Sequence, residues 1–129
     1  MTFSPKSRFL GDGLATSPSF GRNWPSKIKL FGWYNRLEKN GYQAAHIHPY
    51  GWLSGVIYLK TVDFTNEYEG AIEFSLQGLD YKRIAPSNPK VMHQPKQGDL
   101  VLFPSSVFHK TLPFKSETTR CVIAFDIIP

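Results

Sequence analysis

From Lys27 onward the chain is a succession of short runs of β-branched, aromatic and aliphatic residues, each closed by a turn signal before it is long enough to make a helix. The runs cover residues 28–37, 42–48, 53–62, 71–76, 90–94, 100–103, 107–112 and 120–127. Between them fall NG (40–41), PYG (49–51), YEG (68–70), PSNP (86–89), PKQGD (95–99), FPSS (103–106) and KSETT (115–119). Proline withholds a backbone donor and glycine reaches backbone conformations that other residues avoid, so each cluster ends a strand and starts a turn. Eight short strands at this spacing, with ten prolines and ten glycines, predict an all-β sandwich or barrel. A jelly roll, or double-stranded β-helix, is the expected form, because its two sheets leave an open mouth for a metal and a small ligand. Residues 35–39 are the one stretch that reads as a helical turn.

The first 26 residues differ in kind. They are rich in Ser, Gly and Pro (SPKS, GDG, TSPSFGRNWPS) and read as an irregular N-terminal arm, leaving residues 27–129 as the folded domain. At 129 residues and 14.7 kDa the chain fits one domain that buries a core without disulfides or a structural metal. Any bound metal is therefore free to serve chemistry. The single cysteine, Cys121, excludes an internal disulfide and a multi-cysteine zinc site, and reads as a small core residue in a reducing compartment. No 18-residue apolar run and no signal-peptide pattern occurs, so a cytoplasmic protein is expected, with no membrane partner.

The net charge of +5 is unevenly spread. Residues 1–40 hold seven Lys/Arg against Asp12 and Glu38, whereas residues 41–129 balance at eight against eight. The basic excess belongs to the N-terminal segment and brings no like-charge run or helix-turn-helix pattern with it, which argues against nucleic acid as the partner.

Within AAHIHPYGWLSGVIYLK (44–60) stand two histidines one residue apart. On an extended strand His46 and His48 project from one side and Ile47 from the other, so the two imidazoles can share one ligand. Taken alone the pair also fits two incidental, partly buried histidines. A third, His109, follows a GD turn and a buried-looking strand far along the chain, as expected if two strands meet across a barrel. Eleven residues later Arg120 opens the last strand, sharing a face with Val122 and Ala124. An arginine at the start of an apolar strand either reaches water or pairs with an anion.

The order HxH, LSGVIYL, EGAIEF, PKQGDLVLFPSSVFH and RxxIAF resembles the family of 2-oxoglutarate/Fe(II)-dependent oxygenases with a double-stranded β-helix core, over about residues 31–125. The GW-Y-N stretch (32–35) is similar to the segment preceding the metal motif there. The resemblance implies His46, His48 and His109 as iron ligands and Arg120 as the partner of the 2-oxoglutarate C5 carboxylate. It implies Tyr58 as the hydrogen-bonding companion of Arg120, and Asn35 as a weaker cosubstrate contact. The implied cofactors are Fe(II) and 2-oxoglutarate. The implied activity is that of a dioxygenase coupling decarboxylation of 2-oxoglutarate to succinate with hydroxylation of a small molecule or a protein side chain. Imidazoles suit Fe(II), three ligands on one face leave open positions, and a guanidinium reads a carboxylate with two parallel donors. Tyr58 lies in alternation with Ser54 and Val56, so all three are expected to face the interior.

Most 2-oxoglutarate oxygenases carry Asp or Glu where this chain has His48, and exchanging a carboxylate for imidazole removes one negative charge. Two other readings therefore stand beside the oxygenase: a three-histidine cupin-like metalloprotein that does not use 2-oxoglutarate, and a non-catalytic β-sandwich binding module. His93 reads as solvent-facing. Asp63, Glu67 and Glu69 read as a solvated acidic loop, and Tyr50 and Trp52 as a wall of the substrate mouth or a cap on the core. Asp126 carries no assigned role, and the exposed sheet edges leave room for a homodimer.

Overall fold

The structure, a computed structural model, describes residues 25–63, 66–78 and 89–129. The expected arm thus lies almost wholly outside the described residues. Eight strands follow in order: β1 (Lys29–Leu37), β2 (Gln43–His46), β3 (Leu53–Lys60), β4 (Ile72–Ser75), β5 (Lys90–His93), β6 (Leu100–Pro104), β7 (Phe108–Thr111) and β8 (Arg120–Ile128). No helix occurs among the described residues.

The strands form two four-stranded sheets, β1-β8-β3-β6 and β2-β7-β4-β5, with antiparallel neighbours throughout. Successive strands change sheet at every step but β4 to β5, which winds the chain around the barrel as a jelly roll. Every sequence-predicted strand is present, most of them trimmed by a residue or two at the ends.

Period-2 alternation decides what faces inward. On β3 Ser54, Val56 and Tyr58 are buried, and on β8 Arg120, Val122 and Ala124 are buried, each set on one face. Val56, Tyr58 and Val122 meet Val101 and Phe103 of β6 and Ile72 and Phe74 of the opposite sheet in a single apolar cluster. Phe74 and Phe103 pack nearly edge to face at 5.0 Å, a pairing worth about 0.5–1.5 kcal/mol beyond simple burial.

Two expectations fail. Residues 35–37, which belong both to the predicted strand over 28–37 and to the stretch read as a helical turn, extend β1, because Asn35, Arg36 and Leu37 take their ladder partners from Val122, Cys121 and Arg120 of β8. The chain reverses only afterwards, where the Gly41 amide donates to the Glu38 carbonyl and Asn40 adopts φ 63°, a left-handed conformation that asparagine tolerates. Cys121 is half-buried on the outer face of β8 and is not a core residue, since the inward positions of that strand belong to its even-numbered neighbours.

Candidate metal centre

β2 and β7 lie side by side, and their register sets His46 directly opposite His109. The ladder is irregular between Gln43 and His46, and such irregularities re-aim side chains. His48 lies two residues beyond the end of β2, where its amide donates to the Ser105 carbonyl at 3.0 Å. Strand and loop together bring the three rings into one cluster, with centroids 4.3 Å (His46 to His109), 5.0 Å (His48 to His109) and 5.2 Å (His46 to His48) apart. One ring nitrogen from each lies within 4.8 Å of those of the other two. Among the described residues no other set of three or more His, Cys, Asp or Glu side chains converges in this way.

The hydrogen bonds say which nitrogens are available. Nδ1 of His46 lies 2.7 Å from the Ala44 carbonyl, and Nδ1 of His109 lies 3.1 Å from the Val107 carbonyl. A carbonyl oxygen can only accept, so in both rings Nδ1 carries the proton and Nε2 keeps its lone pair. Nδ1 of His48 faces Oδ1 of Asp126 at 2.6 Å, which fixes the same tautomer. Three Nε2 lone pairs are therefore left for a shared metal, and each ligand's second nitrogen is held by an acceptor, as metal-binding imidazoles require.

His109 sits deepest, against Phe103 at 4.6 Å and Phe74 at 6.4 Å. Burial against these rings pushes its imidazole from the usual 6.5 down to about 4, and the nearby His46 and His48 act in the same direction. The ring is neutral at pH 7, the form in which it can ligate a metal.

The cluster opens into a cleft lined by Trp33, Asn35, Gln43, Thr111, Arg120 and the three histidines, with Val56, Ile72 and Phe103 among its apolar walls. Arg120 is 2% exposed, yet its Nε and Nη1 have no hydrogen-bond partner among the described residues. The hydroxyl of the fully buried Tyr58 is also unpartnered. The guanidinium lies over the Tyr58 ring, Cζ 5.0 Å from its centroid. Burial raises the Tyr58 pKa, and the Arg120 charge opposes that shift.

Of the residues singled out in the sequence, His46, His48, His109, Arg120 and Asn35 all line one cleft, and Tyr58 is packed beneath Arg120. Tyr50 is 85% exposed, and neither it nor Trp52 lines the cleft; the indole that does so is Trp33, 5.5 Å from the His48 ring. His93 is half-buried and pairs with Asp99 at 3.1 Å, and Glu69 is buried; neither is the solvated group expected. The residue that sequence reasoning passed over is Asp126, whose partner His48 is remote along the chain. Its one sequence signal is a carboxylate in a last strand that is apolar after Arg120.

The sequence model of the family described as "Putative 2OG-Fe(II) oxygenase" matches residues 32–126, a span holding every cleft residue named above. Among solved structures the chain is similar to an oxidoreductase of the 2OG-Fe(II) oxygenase family from Burkholderia pseudomallei, at 16% identity and TM-score 0.64, over 83% of this chain and 46% of that one. It is similar to a prolyl-4-hydroxylase from Pseudomonas putida, at 16% identity and TM-score 0.56, over 77% and 52%. It is also similar to HygX from Streptomyces hygroscopicus with iron bound, at 15% identity and TM-score 0.57, over 79% and 58%; HygX has in addition been crystallised with nickel and 2-oxoglutarate bound. At these identities the likeness is one of fold, and the chain spans about half the length of the structures it matches. No curated protein sequence matches it.

Proposed function

The chain belongs to the 2OG-Fe(II) oxygenase family, and from that premise we propose that it is an Fe(II)- and 2-oxoglutarate-dependent dioxygenase that holds its metal with His46, His48 and His109. With both bound, the centre would use O₂ as the oxidant, one oxygen atom going into succinate as 2-oxoglutarate loses CO₂ and the other into the new hydroxyl of a small molecule or a protein side chain.

The observation that carries the 2-oxoglutarate part is Arg120. A guanidinium cannot shed its charge, and burying one with two donors unpartnered costs several kcal/mol unless an anion completes the site. Arg120 lines the same cleft as the three imidazoles, so an anion held against it would present its other end to the metal. A dicarboxylic keto acid has that form: one carboxylate for Arg120 and Tyr58, and a keto acid at the other end. The chain's own residues thus bind and orient the cosubstrate, while Val56, Ile72 and Phe103 keep water from the buried side of the cleft. A metalloprotein whose ligand carried no anionic group would leave the buried charge of Arg120 uncompensated.

The test is anaerobic addition of Fe(II) and 2-oxoglutarate to the purified chain. The expected result is a visible charge-transfer band that disappears in Arg120→Leu while Fe(II) still binds. Stoichiometric Fe(II) with no such band, or a band unchanged in the variant, would sink the proposal.

A further inference from the structure

His48 stands where the commoner facial triad carries a carboxylate, and a metal held by three neutral imidazoles lacks the negative charge that ligand would bring. The structure places a carboxylate one bond further out. Oδ1 of Asp126 lies 2.6 Å from Nδ1 of His48, and the two side chains are 13% and 14% exposed. Such a bond is short even for a charge-assisted one.

A buried hydroxyl chain holds the carboxylate in place. Ser54 Oγ donates to Asp126 Oδ1 at 2.7 Å, and Ser105 Oγ, 2.7 Å from Ser54 Oγ, completes a chain running Ser105 to Ser54 to Asp126. Ser54 and Ser105 are 0% and 1% exposed. Ladder register puts Ser54 directly opposite Asp126, and the His48 amide donates to the Ser105 carbonyl, so backbone and side chains fix the same group of residues. There is no slack around it: a Cβ on Gly51 would lie 2.5 Å from Ser105 Oγ and 3.3 Å from Asp126 Cγ.

Resting on the reading that His46, His48 and His109 hold the metal, we infer that Asp126 is a positioning residue for it. Asp126 fixes the His48 ring with Nε2 toward the metal and lends that ligand the negative charge which a directly bound carboxylate would supply. Polarising an imidazole through its distal N–H strengthens it as a ligand. His48 and Asp126 together then do the work of one carboxylate ligand, while Ser54 and Ser105 keep the carboxylate in register.

The experiment uses the full chain and Co(II) as the probe, read by its d–d absorption and by calorimetry, alongside 15N NMR of the histidine rings in metal-free protein. Asp126→Asn keeps the shape and an oxygen acceptor but removes the charge, so the metal-free His48 tautomer and melting temperature should hold while Co(II) affinity falls about tenfold. Asp126→Leu removes the carboxylate and leaves His48 Nδ1 only Ser54 Oγ at 3.3 Å, so the tautomer should lose its preference and affinity should fall about 100-fold. Ser54→Ala should produce a smaller loss than either. If wild type binds Co(II) and Asp126→Asn binds it within twofold with an unchanged spectrum, the inference is overturned and the three-histidine site stands. If wild type itself binds no Co(II), the metal reading fails and the inference with it. Asp126→Asn alone decides the matter should Asp126→Leu not fold.

Discussion

The guanidinium of Arg120 lies against the ring of Tyr58, Cζ 5.0 Å from the centroid, with both side chains buried and the Tyr58 hydroxyl unpartnered among the described residues. Cation–π contact steadies the pair, but it leaves polar atoms dry, and a buried unpartnered hydroxyl costs about 1–3 kcal/mol. Under the proposed function the pair gives up fold stability for binding. Tyr58→Phe keeps the ring under Arg120 and deletes the orphan oxygen. It should leave the metal-free chain as stable as wild type or more stable by about 1 kcal/mol in urea unfolding. The same variant should need several-fold more 2-oxoglutarate to reach the thermal shift of wild type. A loss of stability with unaltered 2-oxoglutarate response would show the hydroxyl to be structural.

Gly51 is a packing requirement of the His48 surroundings. Its α-carbon approaches the Ser105 side chain and Asp126 so closely that an added methyl would meet Ser105 Oγ at 2.5 Å and its Cβ at 3.0 Å. Overpacking of this kind typically costs 1–3 kcal/mol. Gly51→Ala should lower stability by about that much and weaken metal binding, because the atoms forced aside belong to the hydroxyl chain beneath Asp126. Adding Ser105→Gly to the variant should restore part of the stability by freeing the same space. An additive double variant would refute the contact.

The depressed pKa of His109 makes a statement about stability in acid. In the unfolded chain the ring takes a proton near pH 6.5, whereas in the fold it stays neutral until about 4. Between those values the unfolded state binds more protons, so stability contributed by the neutral buried ring is intact above pH 6.5 and is lost as pH falls toward 4. The full difference amounts to about 3 kcal/mol. Urea unfolding of metal-free protein at pH 7.5 and pH 4.5 should show the loss, and the loss should shrink in His109→Gln. Equal pH slopes in the two proteins would place the acid sensitivity elsewhere.

The strands and the face that Arg120 shares with Val122 and Ala124 were legible because they follow from period 2 and turn chemistry, which are local; the three-histidine set was implied by the resemblance, and its convergence rests on the β2–β7 register and on the loop that carries His48. What escaped the sequence depends on register. Ser54 faces Asp126 only because β3 pairs with β8, and His48 reaches Asp126 only because its loop is tied to Ser105. Residues 35–37 look helical in isolation and are strand because β8 offers them partners. Trp33 reads in sequence as one of several aromatics in β1, and it shares the cleft-facing side of that strand with Asn35, while Tyr50 is exposed. Half-burial of His93 likewise needed Asp99, which comes from the turn before β6.

Trp33 offers an optical check on the whole arrangement. Its indole is 5.5 Å from the His48 ring and lines the cleft, whereas Trp52 is not among the lining residues. An open-shell ion with visible absorption quenches indole emission at short range, so Co(II) titrated into the three-histidine site should dim the fluorescence of the chain in a saturable way. Zn(II), with a filled d shell, should occupy the same ligands with little quenching and should reverse the effect of Co(II) by displacing it. Trp33→Phe should abolish most of the Co(II) quenching while leaving affinity, measured by calorimetry, within a few-fold of wild type. Quenching that survives in Trp33→Phe would mean that the metal sits away from the His48 side of the cleft. Quenching lost in His46→Ala and His109→Ala as well would tie the same signal to all three proposed ligands.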